Sequence, residues 1–197
     1  MGFDAGNVCQ IDCAPTWGVT ASGFTCLCWV RIRSVGGYSL VIGANAGGAN
    51  VYVLWISNTE GNAVRFDSTP DGSFYAGNTA LGTTTLVAER WYRVGATYAP
   101  DGNRVFVQGR QEAFKARTNE GIDVVTQELL GRGAGTVRGL NGYLDGVAIY
   151  RRALSAPEMM AEYLEAARGY PGLLRRPAPP WLVGAAAGAA SRFFFGA

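Results

Sequence analysis

The sequence predicts an all-β protein in which two antiparallel sheets pack face to face, followed by one short C-terminal helix. Residues 91–99 and 103–109 alternate polar and apolar side chains around the turn Pro100-Asp101-Gly102-Asn103, which is typical of a β-hairpin. Similar runs recur often enough for about nine to eleven strands, and the 28 glycines suit many tight turns. Because each strand buries one face, a second sheet is needed to cover the first.

The other strands are predicted from the same alternation. In chain order they are 23–33, 38–44, 50–57, 62–67, 123–131 and 140–151. The Gly- and Thr-rich interval 68–85 is predicted to be a loop that holds one edge strand at most.

One helix is predicted after the last strand. Ser155 is the expected N-cap and Glu158 closes a capping box, with Pro157 in the first turn. Met159, Met160, Tyr163 and Leu164 then recur at helical spacing up to a stop at Gly169. We expect this stripe to pack on the sandwich rather than to form a groove for a partner.

Composition excludes several classes of function. Charged residues make up only 16% of the chain, against about 25% in an average domain, and the net charge is +2. The basic residues are dispersed, so nucleic acid is not an expected partner. The chain has no histidine, which removes the histidine-based catalytic dyads and imidazole metal sites.

The four cysteines are Cys9, Cys13, Cys26 and Cys28. Cys26 and Cys28 share one face of a strand, where adjacent positions seldom satisfy disulfide geometry. We expect buried free thiols, with a bridge from the Cys9/Cys13 segment or a Cys₄ zinc site as alternatives.

The strand that carries Trp29, the hairpin that begins at Trp91 and the Gly-x-x-Asp strand that contains Asp145 together resemble laminin-G-like domains. These domains have the concanavalin A-like lectin/glucanase fold, a two-sheet antiparallel jelly roll, and the resemblance covers residues 20–165. The tail YPGLLRRPAPPW is similar to the ends of laminin-G-like proteins of tailed phages.

The resemblance bears on catalysis and metal binding. Glucanases of this fold carry carboxylates at alternate strand positions, whereas Glu120 and Asp123 are three apart and would point to opposite faces. We therefore expect no enzyme. No cofactor is expected either, although the family allows calcium and Asp145 is its candidate ligand. The favoured interpretation of Asp145 is a carboxylate that accepts backbone hydrogen bonds.

The chain is predicted to divide into a sandwich domain, 1–169, and an apolar C-terminal arm, 170–197. Prolines interrupt regular structure in the arm, yet its large apolar side chains are costly to leave in water. The arm is therefore expected to dock, most favourably on a neighbouring subunit, otherwise on its own domain or at a membrane interface. The expected docking residues are Leu173, Leu174, Trp181, Leu182, Phe193, Phe194 and Phe195.

Two functions follow as expectations. The first is a structural virion protein of a tailed phage, such as a capsid decoration protein, anchored by its arm to the major capsid protein or to copies of itself. It would be made in the host cytoplasm, because no secretory signal is visible, and would bind neither nucleic acid nor a membrane. The second is a lectin-like module that binds polysaccharide, for example on a tail fibre. Its candidate glycan contacts are the aromatic residues Tyr52, Trp55, Phe74 and Tyr75.

Overall fold

The computed structural model describes residues 2–3, 10–11, 22–34, 38–46, 49–69, 78–117, 127–131, 139–168 and 191–193. These residues form thirteen strands and one helix. The elements are β1 Gly2–Phe3, β2 Gln10–Ile11, β3 Phe24–Ser34, β4 Tyr38–Ala46, β5 Ala49–Ser57, β6 Ala63–Ser68, β7 Ala80–Leu81, β8 Trp91–Ala99, β9 Gly102–Val107, β10 Arg110–Ala116, β11 Gln127–Leu130, β12 Asn141–Tyr150, α1 Ala156–Arg168 and β13 Ser191–Phe193.

The strands form two antiparallel sheets, as predicted. The first sheet has the order β1-β12-β3-β8-β9-β10, with β13 also paired to β12, and the second has the order β2-β11-β4-β5-β6-β7. Their inner faces enclose the main hydrophobic core. Phe24 of the first sheet joins the two sheets, because its ring centroid lies 4.5 Å from that of Tyr52 and 6.2 Å from that of Phe66.

The alternation along β3 separates a core face from an outer face. Cys26 and Cys28 lie on the core face as buried free thiols, in agreement with the favoured prediction. Burial raises the pKa of Cys28 to about 12, so the group is a protonated thiol at neutral pH. Cys9 and Cys13 lie outside the described residues.

The predicted hairpin is present as β8 and β9, and Gly102 begins β9 opposite Ala99. A Cβ atom at Gly102 would lie 2.3 Å from the carbonyl oxygen of Lys115 on β10, so only glycine fits there. Gln108 and Gly109 have φ values of 51° and 75° and turn the chain into β10.

Strand β10 was not predicted. Its sequence, RQEAFKA, does not alternate polar and apolar residues, and it forms an edge of the first sheet where most of its side chains are exposed or half-buried. Its backbone pairs with β9 from Arg110 to Ala116. The strand is therefore set by its turn and its backbone hydrogen bonds, which periodicity does not detect.

Helix α1 begins after Ser155, as predicted. The Ser155 backbone N–H and hydroxyl both donate to Glu158 Oε2 at 2.8 Å, which is the glutamate half of a capping box. The helix packs on the outer face of the first sheet, where the rings of Tyr163 and Trp29 lie 6.0 Å apart. Gly95 permits this approach, because a Cβ there would lie 3.0 Å from Met159 Cε.

Part of the predicted arm adds a strand to the first sheet. The backbone of β13 pairs with Val147, Ala148 and Ile149 of β12. Of the predicted docking residues, Phe193 ends this strand, and Leu173, Leu174, Trp181, Leu182, Phe194 and Phe195 lie outside the described residues. Within the described part of the chain, no helix has the length and apolar character needed to cross a membrane.

Candidate functional site

The structure places two of the predicted glycan contacts on opposite faces of the second sheet. Tyr52 is fully buried in the core. Trp55 lies on the outer face with Leu40 and Val53, and only 2% of its surface is exposed. Its ring packs at 63° against that of Tyr38, with 5.9 Å between the ring centroids. Tyr52 is thus a packing residue, whereas Trp55 supports a half-buried tyrosine at the surface.

Tyr52 belongs to a buried polar pair. Its hydroxyl donates to Glu128 Oε2 at 2.5 Å, and Glu128 Oε1 has no hydrogen-bond partner among the residues that the structure describes. Burial raises the pKa of Glu128 to about 8, although the Tyr52 hydrogen bond acts in the opposite direction. The carboxyl group is therefore mostly protonated at neutral pH. The pairs Glu128↔Ala44 and Ala44↔Tyr52 place both side chains in one row across the sheet.

A polar cluster lies beside Trp55 on the outer face. Arg65 donates through Nε to Asp67 Oδ2 at 2.8 Å and through a terminal nitrogen to Asp67 Oδ1 at 3.1 Å. It also donates to Glu60 at 3.2 Å and to the hydroxyls of Tyr38 and Thr79, each at 3.4 Å. We call these five residues the Arg65 network.

The strands explain how the Arg65 network is assembled. Arg65 and Asp67 are two residues apart on β6, so their side chains share one face. Tyr38 begins β4, and its ring centroid lies 5.5 Å from the Arg65 guanidinium carbon. Thr79 precedes β7 and donates its hydroxyl to Asp67 Oδ1 at 2.5 Å. Together with Glu60, which lies between β5 and β6, these residues bring four separate segments to one guanidinium group.

The charges of the network are unequally exposed. Asp67 has 3% of its side chain exposed, whereas Arg65 has 19% and Glu60 has 26%. Burial alone would lower the pKa of Arg65, but its hydrogen bond to Asp67 and the nearby carboxylates raise the pKa instead. The network thus combines a permanent cation, two carboxylates and two hydroxyls beside an aromatic ring. This combination suits hydrogen bonding to a polyhydroxylated ligand.

Phe74 and Tyr75 lie outside the described residues. The segment that carries them is joined to Thr69 and Asn78, which flank the Arg65 network. Both ends are held by the sheet, because the Thr69 N–H donates to the Val51 carbonyl at 2.9 Å and Asn78 Nδ2 donates to the Ser68 carbonyl at 3.4 Å. Glu120 and Asp123, the carboxylates considered for catalysis, also lie outside the described residues.

The surroundings of Asp145 do not fit a calcium ion. Its Oδ1 accepts the Gly146 backbone N–H at 2.7 Å, in a bulge where Gly146 has a φ of 52°. The Gly146 carbonyl in turn accepts a hydrogen bond from Arg93 at 2.6 Å, which places a cation where a metal would need oxygen ligands. Among the described side chains, no group of three or more His, Cys, Asp or Glu residues is placed to hold a metal.

A groove of about 490 Å³ separates α1 from the β8–β10 edge of the first sheet, with Tyr163, Arg110 and Glu112 among its lining residues. Glu112 Oε2 accepts the backbone N–H groups of Thr83 and Thr84 at 2.9 and 3.0 Å. Its carboxylate therefore holds the loop that precedes β8.

Comparison with solved structures identifies the same fold in proteins of low sequence identity. A heptameric SAP-like pentraxin from Limulus polyphemus has a TM-score of 0.58 at 12% identity, over 72% of this chain and 69% of the pentraxin. A proposed carbohydrate-binding protein from Bacteroides ovatus has a TM-score of 0.56 at 18% identity, over 78% of this chain but 43% of that protein. Trypanosoma rangeli sialidase has a TM-score of 0.54 at 19% identity, over 74% of this chain and 23% of the sialidase.

These likenesses show the fold and assign no activity, and a search of curated protein sequences finds no match. A sequence model of the concanavalin A-like lectin/glucanases superfamily matches residues 4–160, which is well over half of the 197-residue chain. The match includes the β3, β8–β9 and β12 segments that carry the laminin-G-like resemblance. The chain belongs to the concanavalin A-like lectin/glucanases superfamily.

Proposed function

We propose that the protein binds carbohydrate on the outer face of its second sheet, at the Arg65 network. The observation that carries this proposal is the contact of Tyr38 with both Trp55 and Arg65, which puts an aromatic ring beside a bidentate arginine–carboxylate pair. The fold supports the proposal, because it is shared with a proposed carbohydrate-binding protein.

The chemistry of the network suits a neutral sugar. A pyranose has an apolar face that packs on an aromatic ring, and Tyr38 is the half-buried ring of this cluster. Its hydroxyl groups need both donors and acceptors. The five N–H groups of Arg65 already donate within the network, so a sugar would replace the two longest of these bonds, those to the Tyr38 and Thr79 hydroxyls at 3.4 Å. Because Arg65 is already held by Asp67, little side-chain entropy is lost when a ligand binds.

A glycan array tests this proposal with the wild type and with Tyr38→Ala. We expect the wild type to bind a subset of neutral saccharides, and Tyr38→Ala to lose about tenfold or more in affinity, because stacking on the ring is removed. Phe74→Ala and Tyr75→Ala test whether the adjoining segment contributes.

Phe114→Ala is the matched control. Phe114 is 49% exposed, and the guanidinium carbon of Arg104 lies 4.5 Å from the centroid of its ring. Like Tyr38 it is an aromatic ring beside an arginine, but it lies on the first sheet. The Phe114→Ala variant should bind glycans like the wild type. Absence of any glycan signal, or equal losses in Tyr38→Ala and Phe114→Ala, would contradict the proposal.

We also propose, as a second function, a structural role in a tailed-phage particle, with the arm as anchor. Its support is the apolar composition of 170–197 together with the pairing of β13 on the outer edge of β12. Strand addition to a sheet edge is a common mode of docking, and a neighbouring copy's strand would make the same backbone hydrogen bonds.

Deletion of residues 171–197 tests this second function. The truncated chain is expected to keep the circular dichroism spectrum of the sandwich and to lose incorporation into particles. A truncated chain that joins the particle at full occupancy would refute the anchoring role.

A further inference from the structure

We propose that the outer face of the first sheet carries a second binding site, for saccharides that bear a carboxylate or sulfate group. The site consists of Arg31, Arg33, Trp91 and Tyr143, which we call the Arg33 surface. It is independent of the Arg65 network, because the two clusters share no residue and lie on the outer faces of opposite sheets.

Strand register brings these residues together. Tyr143 of β12 pairs with Arg31 of β3, and Arg31 pairs with Trp91 of β8, so the three side chains form one row across adjacent strands. Arg33 lies two residues along β3 from Arg31 and therefore points to the same face. Two arginines and two aromatic rings thus come from three strands.

The row lies beyond the part of the sheet that α1 covers. Tyr163 of the helix packs on Trp29. Met159 of the helix approaches Gly95, which lies in the next row of the sheet, on the side away from Arg31. The row of Arg31 adjoins the Trp29 row on its other side. There the Arg31 side chain is 37% exposed and Arg33 is exposed, while Trp91 and Tyr143 are half-buried. The arginines and part of each ring therefore face solvent.

The contacts preorganise the Arg33 surface. The guanidinium carbons of Arg31 and Arg33 lie 5.6 and 4.7 Å from the centroid of the Tyr143 ring, and Arg33 donates to the Tyr143 hydroxyl. The Trp91 ring centroid lies 6.4 Å from that of Tyr143. Stacking of this kind holds a guanidinium in place, which reduces the entropy lost on binding.

The charge of the surface determines the class of ligand. The surface holds the guanidinium groups of Arg31 and Arg33, and the Glu89 carboxylate is paired with that of Arg31. A guanidinium binds a carboxylate or sulfate through two parallel hydrogen bonds, and the adjacent rings suit the apolar face of a sugar. A saccharide that bears an acid group can bind the guanidinium groups and also pack on the rings, whereas a neutral saccharide can only pack on the rings.

Calorimetric titration with three oligosaccharides of equal length tests the proposal: an oligogalacturonate, a dextran sulfate and a neutral dextran. We expect the wild type to bind one or both acidic probes and to bind neutral dextran at least about tenfold more weakly, since charged hydrogen bonds are lost. Comparison of the two acidic probes distinguishes carboxylate from sulfate. Binding should weaken as salt rises, because the surface is exposed.

Variants identify the site. Arg33→Gln should lose about tenfold or more in affinity for the acidic probe, whereas Arg104→Gln, which removes another arginine stacked on an aromatic ring, should not. Glu89→Gln should bind more tightly, because it removes the carboxylate that competes for Arg31. Tyr38→Ala should bind the acidic probe like the wild type, which separates this site from the Arg65 network. Equal affinity for acidic and neutral probes, or unchanged binding by Arg33→Gln, would overturn the proposal.

Discussion

Glu128→Gln is expected to make the protein more stable than the wild type at pH 9 and about equally stable at pH 4.5. The folded-state pKa of Glu128 is about 8, against an ordinary value of 4.5. At pH values between 4.5 and about 8, the Glu128 carboxyl group has lost its proton in the unfolded chain but keeps it in the folded chain. The free energy of unfolding of the wild type therefore falls as the pH rises through this range. The full loss is about 4 to 5 kcal/mol. Glutamine has no carboxyl group to ionise and still accepts the Tyr52 hydrogen bond.

Urea unfolding of both proteins at several pH values between 4.5 and 9 checks this prediction. The difference between the two free energies of unfolding isolates Glu128 from other titrating groups. Tyr52→Phe provides a second test. It removes the hydrogen bond that lowers the pKa of Glu128, so the pH range over which the carboxyl group stays protonated in the folded chain should extend to higher pH. Parallel stability curves for the wild type and Glu128→Gln would show that the carboxyl group is not buried as described.

Arg65→Ala is expected to lower the free energy of unfolding by about 3 kcal/mol. The Asp67 side chain is only 3% exposed, and the substitution removes both of its guanidinium hydrogen bonds while the Thr79 hydroxyl remains. An almost buried carboxylate would then lack a counter-charge. Replacement of both partners, Arg65→Met with Asp67→Leu, should recover most of the loss, because no unpaired charge is left.

Denaturant unfolding of these variants at pH 7 measures the effect, and Arg104→Ala is its control. Arg104 pairs with Asp101, whose side chain is 61% exposed, so loss of that pair should cost about 0 to 1 kcal/mol. If Arg65→Ala were no less stable than Arg104→Ala, the Arg65–Asp67 pair would be solvated and would not organise the outer face of the second sheet.

Much of the fold is predictable from local pattern. The β8–β9 hairpin is specified by its turn residues and its alternation, and α1 by its cap and apolar stripe. Strand β10 is not predictable in this way, because an exposed edge strand needs no alternation. The order of strands in the two sheets comes from long-range pairing, such as β12 with β3, and no single segment encodes it.

Less of the candidate site is predictable. Trp55 is a candidate from its residue type, but its role as a support for Tyr38 depends on the pairing of β4 with β5. The Arg65-Phe66-Asp67 pattern does place a cation and an anion on one face of a strand, and this signal identifies two of the five residues of the Arg65 network. Glu60, Thr79 and Tyr38 reach Arg65 only after the sheet has formed.

The most direct test of carbohydrate binding at the Arg65 network is a two-dimensional NMR titration with the neutral saccharide that binds best on the array. Backbone amide and arginine Nε–Hε signals report both faces of the sandwich in one experiment. We expect shifts at Tyr38, Arg65 and Thr79, with Arg104 and Phe114 unchanged. Shifts confined to the first sheet, or a spectrum that does not change at saturating ligand, would contradict the proposed binding site.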